Sequence, residues 1–145
     1  IYVTGSFWFA AAPMAAALKT FELIRTTKYL EHMQTMGRYL RDGLQQQAAA
    51  HGFTLRQTGP VQMPQILFED DPDFRVGFAW TEEALERGIY FHPWHNMFVG
   101  AALVEADVRQ TLAAADEAFA AVKKRKATLK PHPGVEALLQ ARMGH

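Results

Sequence analysis

Two stretches near the start of the chain repeat apolar residues at helical spacing. From Pro13 to about Arg25, Met14, Leu18, Phe21 and Leu23 or Ile24 share one face while Lys19 and Glu22 point elsewhere, which predicts a helix with a buried stripe. A longer period follows, with Tyr29, Met33, Met36, Leu40 and Leu44 opposed by Glu31, Gln34, Arg38, Arg41 and Gln45, until His51-Gly52 supplies a stop. Beyond Gly52 the period shortens. FTLRQTG and VQMPQILFED are separated by Gly59-Pro60 and predict a pair of strands, with Pro64 pushing its strand toward an edge or a bulge.

Asp71-Pro72 reads as an N-cap and first helical position, and Gly88 closes that helix about four turns later. GIYFHP predicts a third strand, and the run from Phe98 to Leu103, apolar on both faces, a fourth. Val108, Leu112, Ala115, Phe119 and Val122 then form the stripe of a last helix ending in Lys123-Lys124-Arg125-Lys126. Cations at a helix C-terminus complement its dipole, so this run reads as a helix end rather than a binding patch. The tail from Ala127 places Pro131, Pro133 and Gly134 before a short apolar stretch, Val135 to Leu139, suited to a helical turn or two. The order of elements predicts an α+β fold: a small, mainly antiparallel sheet covered by helices, behind a long N-terminal helical segment.

A length of 145 residues suits one domain that buries roughly 70% of its unfolded surface. Fifteen basic and fifteen acidic residues cancel, which removes the basic field of a nucleic-acid binder. The absence of cysteine excludes disulfide frameworks, Cys-based zinc sites and thiol nucleophiles, and fits a reducing compartment. No run approaches the roughly 18 apolar residues of a membrane span, and no basic leader with a cleavage site opens the chain. The expectation is a soluble, cytoplasmic protein with neither nucleic-acid nor membrane partners.

The densest chemistry lies in HPWHN, where His92 and His95 flank Trp94 and precede Asn96. Two histidines without a third ligand at a recognisable spacing make a poor metal site; a loop lining a small-molecule pocket, or an ordinary loop, accounts for them better. Glu69, Asp70, Asp71 and Asp73 lack the glycine and ligand spacing of a calcium loop and read as a solvated turn and helix cap. His32, His51, His132 and His145 read as surface or terminal residues. Ser6 lacks the flanks of a nucleophile elbow, and no phosphate-loop motif occurs. The residues alone compose no complete catalytic constellation.

Three stretches taken in order, GSFWFAAAPMAAALKTFELI, YLEHMQTMGRYLRDGLQQQAAAHG and ALERGIYFHPWHNMFVGAALVEADVRQTLAAADEAF, resemble the C-terminal part of class III aminotransferases of fold type I, most closely the glutamate-1-semialdehyde 2,1-aminomutase group. The resemblance runs from residue 1 to about residue 122. It implies an enzyme that moves an amino group on pyridoxal 5'-phosphate (PLP), acting on an amino acid or amino aldehyde, as a homodimer with active sites at the subunit interface. Residues 1–26 would finish the large, cofactor-binding domain and connect it onward, residues 27–126 would form the small domain, and residues 127–145 a tail. In this family a hydroxyl and backbone N–H groups ahead of the Pro-Ala helix reach the cofactor phosphate, where a helix start favours negative charge.

The family pattern there is Gly-Thr-(Phe/Tyr)-(Ser/Gly)-Gly-Asn-Pro. An ungapped match onto Pro13 puts Trp8 at the threonine; a two-residue insertion aligns Gly5-Ser6-Phe7 with Gly-Thr-Phe, giving the role to Ser6, with Thr4 as the alternative. Ala11-Ala12 replace Gly-Asn, and Gly100 and Leu103 stand where serine and histidine are usual. The resemblance also implies cofactor contacts from Gly5 and Trp8 and a substrate-facing loop of Trp94, His95 and Asn96. The family's catalytic lysine and the acidic partner of the pyridine nitrogen lie upstream of this loop, and none of Lys19, Lys28, Lys123, Lys124, Lys126 or Lys130 has a matching context. The chain by itself is therefore expected to be inactive. A different class of function, a non-catalytic interaction module derived from such an enzyme, fits the same departures.

Overall fold

The computed structural model describes Gly5 and residues 10–137. Its elements run α1 (Ala11–Thr26), α2 (Tyr29–His51), β1 (Leu55–Thr58), β2 (Gln65–Phe68), α3 (Arg75–Glu86) and α4 (Glu105–Arg125), then a 3-10 turn (Lys126–Thr128). The hairpin β1-β2 is antiparallel, with Leu55 opposite Phe68 and Thr58 opposite Gln65. The result is the helix-rich α+β arrangement expected from the sequence, with a two-stranded sheet.

Both predicted glycine stops operate. Gly52 and Gly88 adopt φ of 81° and 83°, and the residue after each returns its N–H to a carbonyl five positions back, Phe53 to Ala48 and Ile89 to Ala84. A side chain with a Cβ is disfavoured in this left-handed conformation, so glycine fixes where α2 and α3 end. The basic run ends α4 as expected, with Lys123, Lys124 and Arg125 in its last turn. At the other end of α4, the Asp107 carboxylate accepts the Val104 N–H at 3.0 Å.

The core gathers around two aromatic rings. Trp80 of α3 stacks on Phe119 of α4 with centroids 5.0 Å apart and on Phe91 at 4.6 Å. Phe68 of β2 meets both, and Phe53 closes the set against Phe68 and Phe119. Leu44, Val108 and Val122 are fully enclosed beside them. Glu83 adds a polar tie, accepting from Arg87 at the end of α3 and from Arg125 of α4, each at 2.8 Å. Burial pushes its carboxyl up, and the hydrogen bonds from Arg87 and Arg125 outweigh that, leaving it below the ordinary range.

Five expectations need correction. The stripe of α1 is not buried: no residue of that 16-residue helix is, and Leu18 and Phe21 are 70% and 60% exposed. A helix of this length without packing is marginal in water, so this face is energetically unfinished in the isolated chain. The third and fourth strands do not form. Residues 97–99 do lie along the hairpin loop, with Met97 N–H donating to the Pro64 carbonyl and Val99 N–H to Gln62, but Pro64 has no N–H to return, so the ladder stops there. Helix α3 starts three residues later than expected: a turn closed by Phe74 N–H on the Asp71 carbonyl puts Phe74 in a left-handed conformation, φ 57°. Asp71 still caps, reaching over that turn to accept from Val76 and Gly77 N–H at 3.1 and 2.8 Å. It is buried, not solvated. His32 and His51 are half-buried rather than superficial: His32 bonds the Leu103 carbonyl and His51 pairs with Asp116 and stacks on Phe119. Val135 of the tail docks in a buried position, with residues 133–137 helical; His145 and the rest of the apolar tail stretch lie outside the described residues.

Two glycines inside α2 mark close approaches of different stiffness. A Cβ on Gly37 would lie 2.4 Å from the backbone carbonyl oxygen of Val61, whereas one on Gly43 would meet the movable methyl groups of Leu112 at 2.5 and 2.7 Å. Alanine gains about 1 kcal/mol of helix propensity at either site. At Gly37 the backbone clash, costing about 1–3 kcal/mol, outweighs that gain; at Gly43 the leucine turns aside and the two terms nearly cancel. Urea denaturation is expected to show Gly37→Ala clearly destabilised and Gly43→Ala close to wild type, and equal effects would contradict this packing.

Candidate functional site

Phe91 sits in the core stack on Trp80, and the chain emerges from that anchor directly into His92, Pro93, Trp94, His95 and Asn96. The loop is short and polar, yet it is held at every end. His92 N–H donates to the sulfur of Met97 at 3.4 Å, and Met97 N–H is fixed to the Pro64 carbonyl at 2.8 Å. From β2, the Gln65 amide donates to the Trp94 carbonyl at 2.6 Å and accepts the Thr58 hydroxyl at 2.8 Å. The Trp94 ring meets Phe78 of α3 at 5.2 Å and Phe74, just ahead of that helix, at 6.0 Å, and His132 of the tail stacks on Phe78 at 4.4 Å.

Trp94 and His95 are exposed, Asn96 half-buried. The three residues expected to face substrate therefore sit together at one surface. Inside the loop, Nδ1 of His92 accepts the N–H groups of Trp94 and His95 at 3.3 and 2.9 Å. Nδ1 of His95 lies 2.8 Å from the Asn96 carbonyl. Burial lowers the His92 pKa from its ordinary value, and the neighbouring His95 lowers it further. The two rings are 5.6 Å apart and inclined by 66°. With both Nδ1 atoms occupied by backbone they do not converge as a chelate, and among the described residues no three metal-ligating side chains do so. An open, mainly apolar groove of about 470 Å³ adjoins the loop through Met97 and Pro64, flanked by the exposed rings of Tyr90 and Phe98.

Of the residues expected to contact cofactor, Thr4, Ser6 and Trp8 lie outside the described residues. Gly5 is exposed with φ 151°, a value that glycine adopts readily and other residues avoid. Just beyond it, α1 begins with no side-chain cap at Ala10 and no acidic residue in its first turn. Gln65, Thr58, Phe74 and Phe78 were not anticipated as part of the loop's surroundings. The spacing of four between Phe74 and Phe78 at the head of a helix was the available sign of a shared aromatic face; nothing in the sequence pairs Gln65 with Trp94.

No family model matches the sequence. Over 92% of its length the chain is 56% identical to an aminopentol aminotransferase of Sphingopyxis macrogoltabida, of which it spans 32%. It is 29% identical to a glutamate-1-semialdehyde 2,1-aminomutase of Nitrosomonas europaea, over 89% of this chain and 33% of that one. Among solved structures, it superposes with TM-score 0.85 and 56% identity on the FumI protein of Sphingopyxis sp. MTA144 in its PLP internal aldimine form, covering 93% of this chain and 33% of that protein. An omega-transaminase from Sphaerobacter thermophilus, 19% identical, shares the fold with TM-score 0.67 over 83% of this chain and 30% of its own. The chain thus spans about a third of the length of the relatives it matches and corresponds to their C-terminal part. Among the described residues, no helix is long and apolar enough to cross a membrane.

The Gln65 bridge makes a local prediction. Gln65→Leu removes the donor to the Trp94 carbonyl and the acceptor for Thr58, at a cost of about 1 kcal/mol. In the 5-fluorotryptophan-labelled protein, the ¹⁹F resonance of Trp94, assigned by Trp94→Phe, is expected to shift and broaden while that of Trp80 stays in place. A Trp94 signal indifferent to Gln65→Leu would remove the bridge from the account.

Proposed function

We propose, from a chain related to the C-terminal part of PLP-dependent aminotransferases, that this protein supplies the small domain and one cofactor-site loop of an enzyme transferring an amino group. The observation that carries the proposal is the 56% identity, kept over 92% of the chain, to an aminopentol aminotransferase. That figure, against 29% for the aminomutase of Nitrosomonas europaea, favours transfer to or from an aminopentol-type amine over the aminomutase reaction. Residues 1–26 complete the cofactor domain and its connection, 27–126 form the small domain, and 127–145 a tail; the interruption of helix at Thr27-Lys28, between α1 and α2, supports the first boundary.

The start of α1 suits a phosphate. Among the described residues, no side chain caps its first N–H groups and no carboxylate stands in its first turn to neutralise the positive end of the helix dipole. Ser6, or Thr4 in its stead, donates a hydroxyl there, Gly5 gives close backbone approach, and Trp8 packs at the cofactor or subunit boundary. Bound in that place, PLP supplies the electron sink that lets an amino group leave one carbon and be delivered to another. The lysine that attaches the cofactor belongs to the part of the enzyme this chain does not span. Trp94, His95 and Asn96 face the substrate entrance.

The exposed Met14, Leu18 and Phe21 face of α1 supports assembly, since so much apolar surface is costly unless covered by the remainder of the enzyme or its partner subunit in a homodimer. The same face is what favours the second reading, an interaction module without catalysis. The two separate on the cofactor. In the complete enzyme carrying this segment, Ser6→Ala is expected to weaken PLP binding about tenfold, as loss of a charge-assisted hydrogen bond does. Unchanged cofactor affinity in Ser6→Ala would remove Ser6 from the phosphate, and no PLP binding by the complete protein would favour the module.

A further inference from the structure

His92 to Asn96 join no strand, and the bonds that shape them demand particular protonation states. Nδ1 of His92 accepts from two backbone N–H groups, of Trp94 and His95. An imidazole nitrogen accepts only while it carries no proton, so the proton of the neutral ring resides on Nε2. His95 is arranged the opposite way. Its Nδ1 faces the Asn96 carbonyl, which only accepts, so that nitrogen holds the hydrogen and the lone pair of the exposed ring is left on Nε2.

We propose that His92 is a positioning residue that acts only as its neutral Nε2–H tautomer: by clamping the amides of Trp94 and His95 it turns the Nε2 acceptor of His95 outward, toward a hydroxyl or ammonium donor on the substrate. The second half rests on the reading that this loop faces substrate; the clamp stands apart from it. Protonation of His92 puts a hydrogen on Nδ1, where it removes the acceptor and opposes both amide donors. Among the described residues, the groups around His92 and the loop it shapes come from several elements. Its own loop brings His95, the Met97 sulfur and the edge of Trp94 at 5.1 Å. Around Trp94, strand β2 brings Gln65 to its carbonyl, Phe74 of the turn into α3 and Phe78 of α3 itself meet its ring, and His132 of the tail stacks on Phe78. None of these is a carboxylate that would hold a proton on His92.

The sign follows. Burial, then His95, keep the pKa of His92 in the folded loop below its ordinary 6.5, so the clamp is complete above that pH and is lost as pH falls through the lowered value.

Long-range ¹⁵N–¹H NMR of the full chain, with amide exchange at Trp94 and His95 expressed as protection over intrinsic rates, tests this. The expected spectrum shows Nε2–H for His92 and Nδ1–H for His95, with protection of both amides falling about tenfold as His92 takes up a proton. His92→Asn, whose Oδ1 can replace Nδ1 as acceptor, retains protection without pH dependence; His92→Phe loses it at every pH while amides around Phe119 keep theirs. An Nδ1–H tautomer at His92, or equal protection in wild type and His92→Phe, overturns the proposal. If the clamp behaves as described but saturating aminopentol leaves the His95 resonances of the complete enzyme unmoved, the substrate-facing reading falls alone.

Discussion

The stack of Trp80 on Phe119 is the constraint on which the described structure depends. Aromatic pairs at this spacing combine large area burial with a preferred geometry, so they fix orientation as well as proximity. Here the stack joins α3 to α4, and each neighbour that leans on it leads to another part of the fold. Phe53 brings in the segment after α2, Phe68 brings in β2, and Phe91 brings in the segment after α3. The small hairpin, too short to stand on its own, is stable because Leu55, Ile66 and Phe68 belong to this cluster.

The same cluster positions the polar loop. Phe91 is the residue immediately before His92, and Gln65 lies on the strand that Phe68 anchors, so the two supports of the loop are set by one core. An exposed loop of five residues would ordinarily be loose. In this protein its ends are fixed by packing and its middle by hydrogen bonds, which is the kind of preorganisation that substrate-contacting groups need.

Much of the fold was legible because periodicity and punctuation agree where elements pack against a core. Leu44 and Phe119 fall on the stripes that predicted α2 and α4, and Gly52 and Gly88 stop helices by a conformation that other residues avoid. The misreadings have physical causes. The α1 stripe reads as buried because sequence reports what a face needs and not what covers it. The runs around Tyr90 and Val99 have strand composition, but the first has no strand partner among the described residues and the second meets Pro64, which cannot return an N–H. At the site, the family pattern pointed to the 94–96 loop, while the contacts that shape it join residues distant in sequence: Gln65 to Trp94, and Phe78 to both Trp94 and His132. No spacing rule encodes those. The expectation that Thr4, Ser6 and Trp8 face the cofactor rests on the motif alone.

The central claim is that this chain is a partner in PLP chemistry whose lysine lies elsewhere in the enzyme. The direct measurement is titration of the 145-residue protein with PLP, followed by borohydride reduction, intact mass and peptide mapping. The account predicts no stoichiometric adduct, only scattered labelling of the surface lysines. A single lysine labelled one-to-one would contradict it, by showing that the chain builds a complete cofactor site of its own.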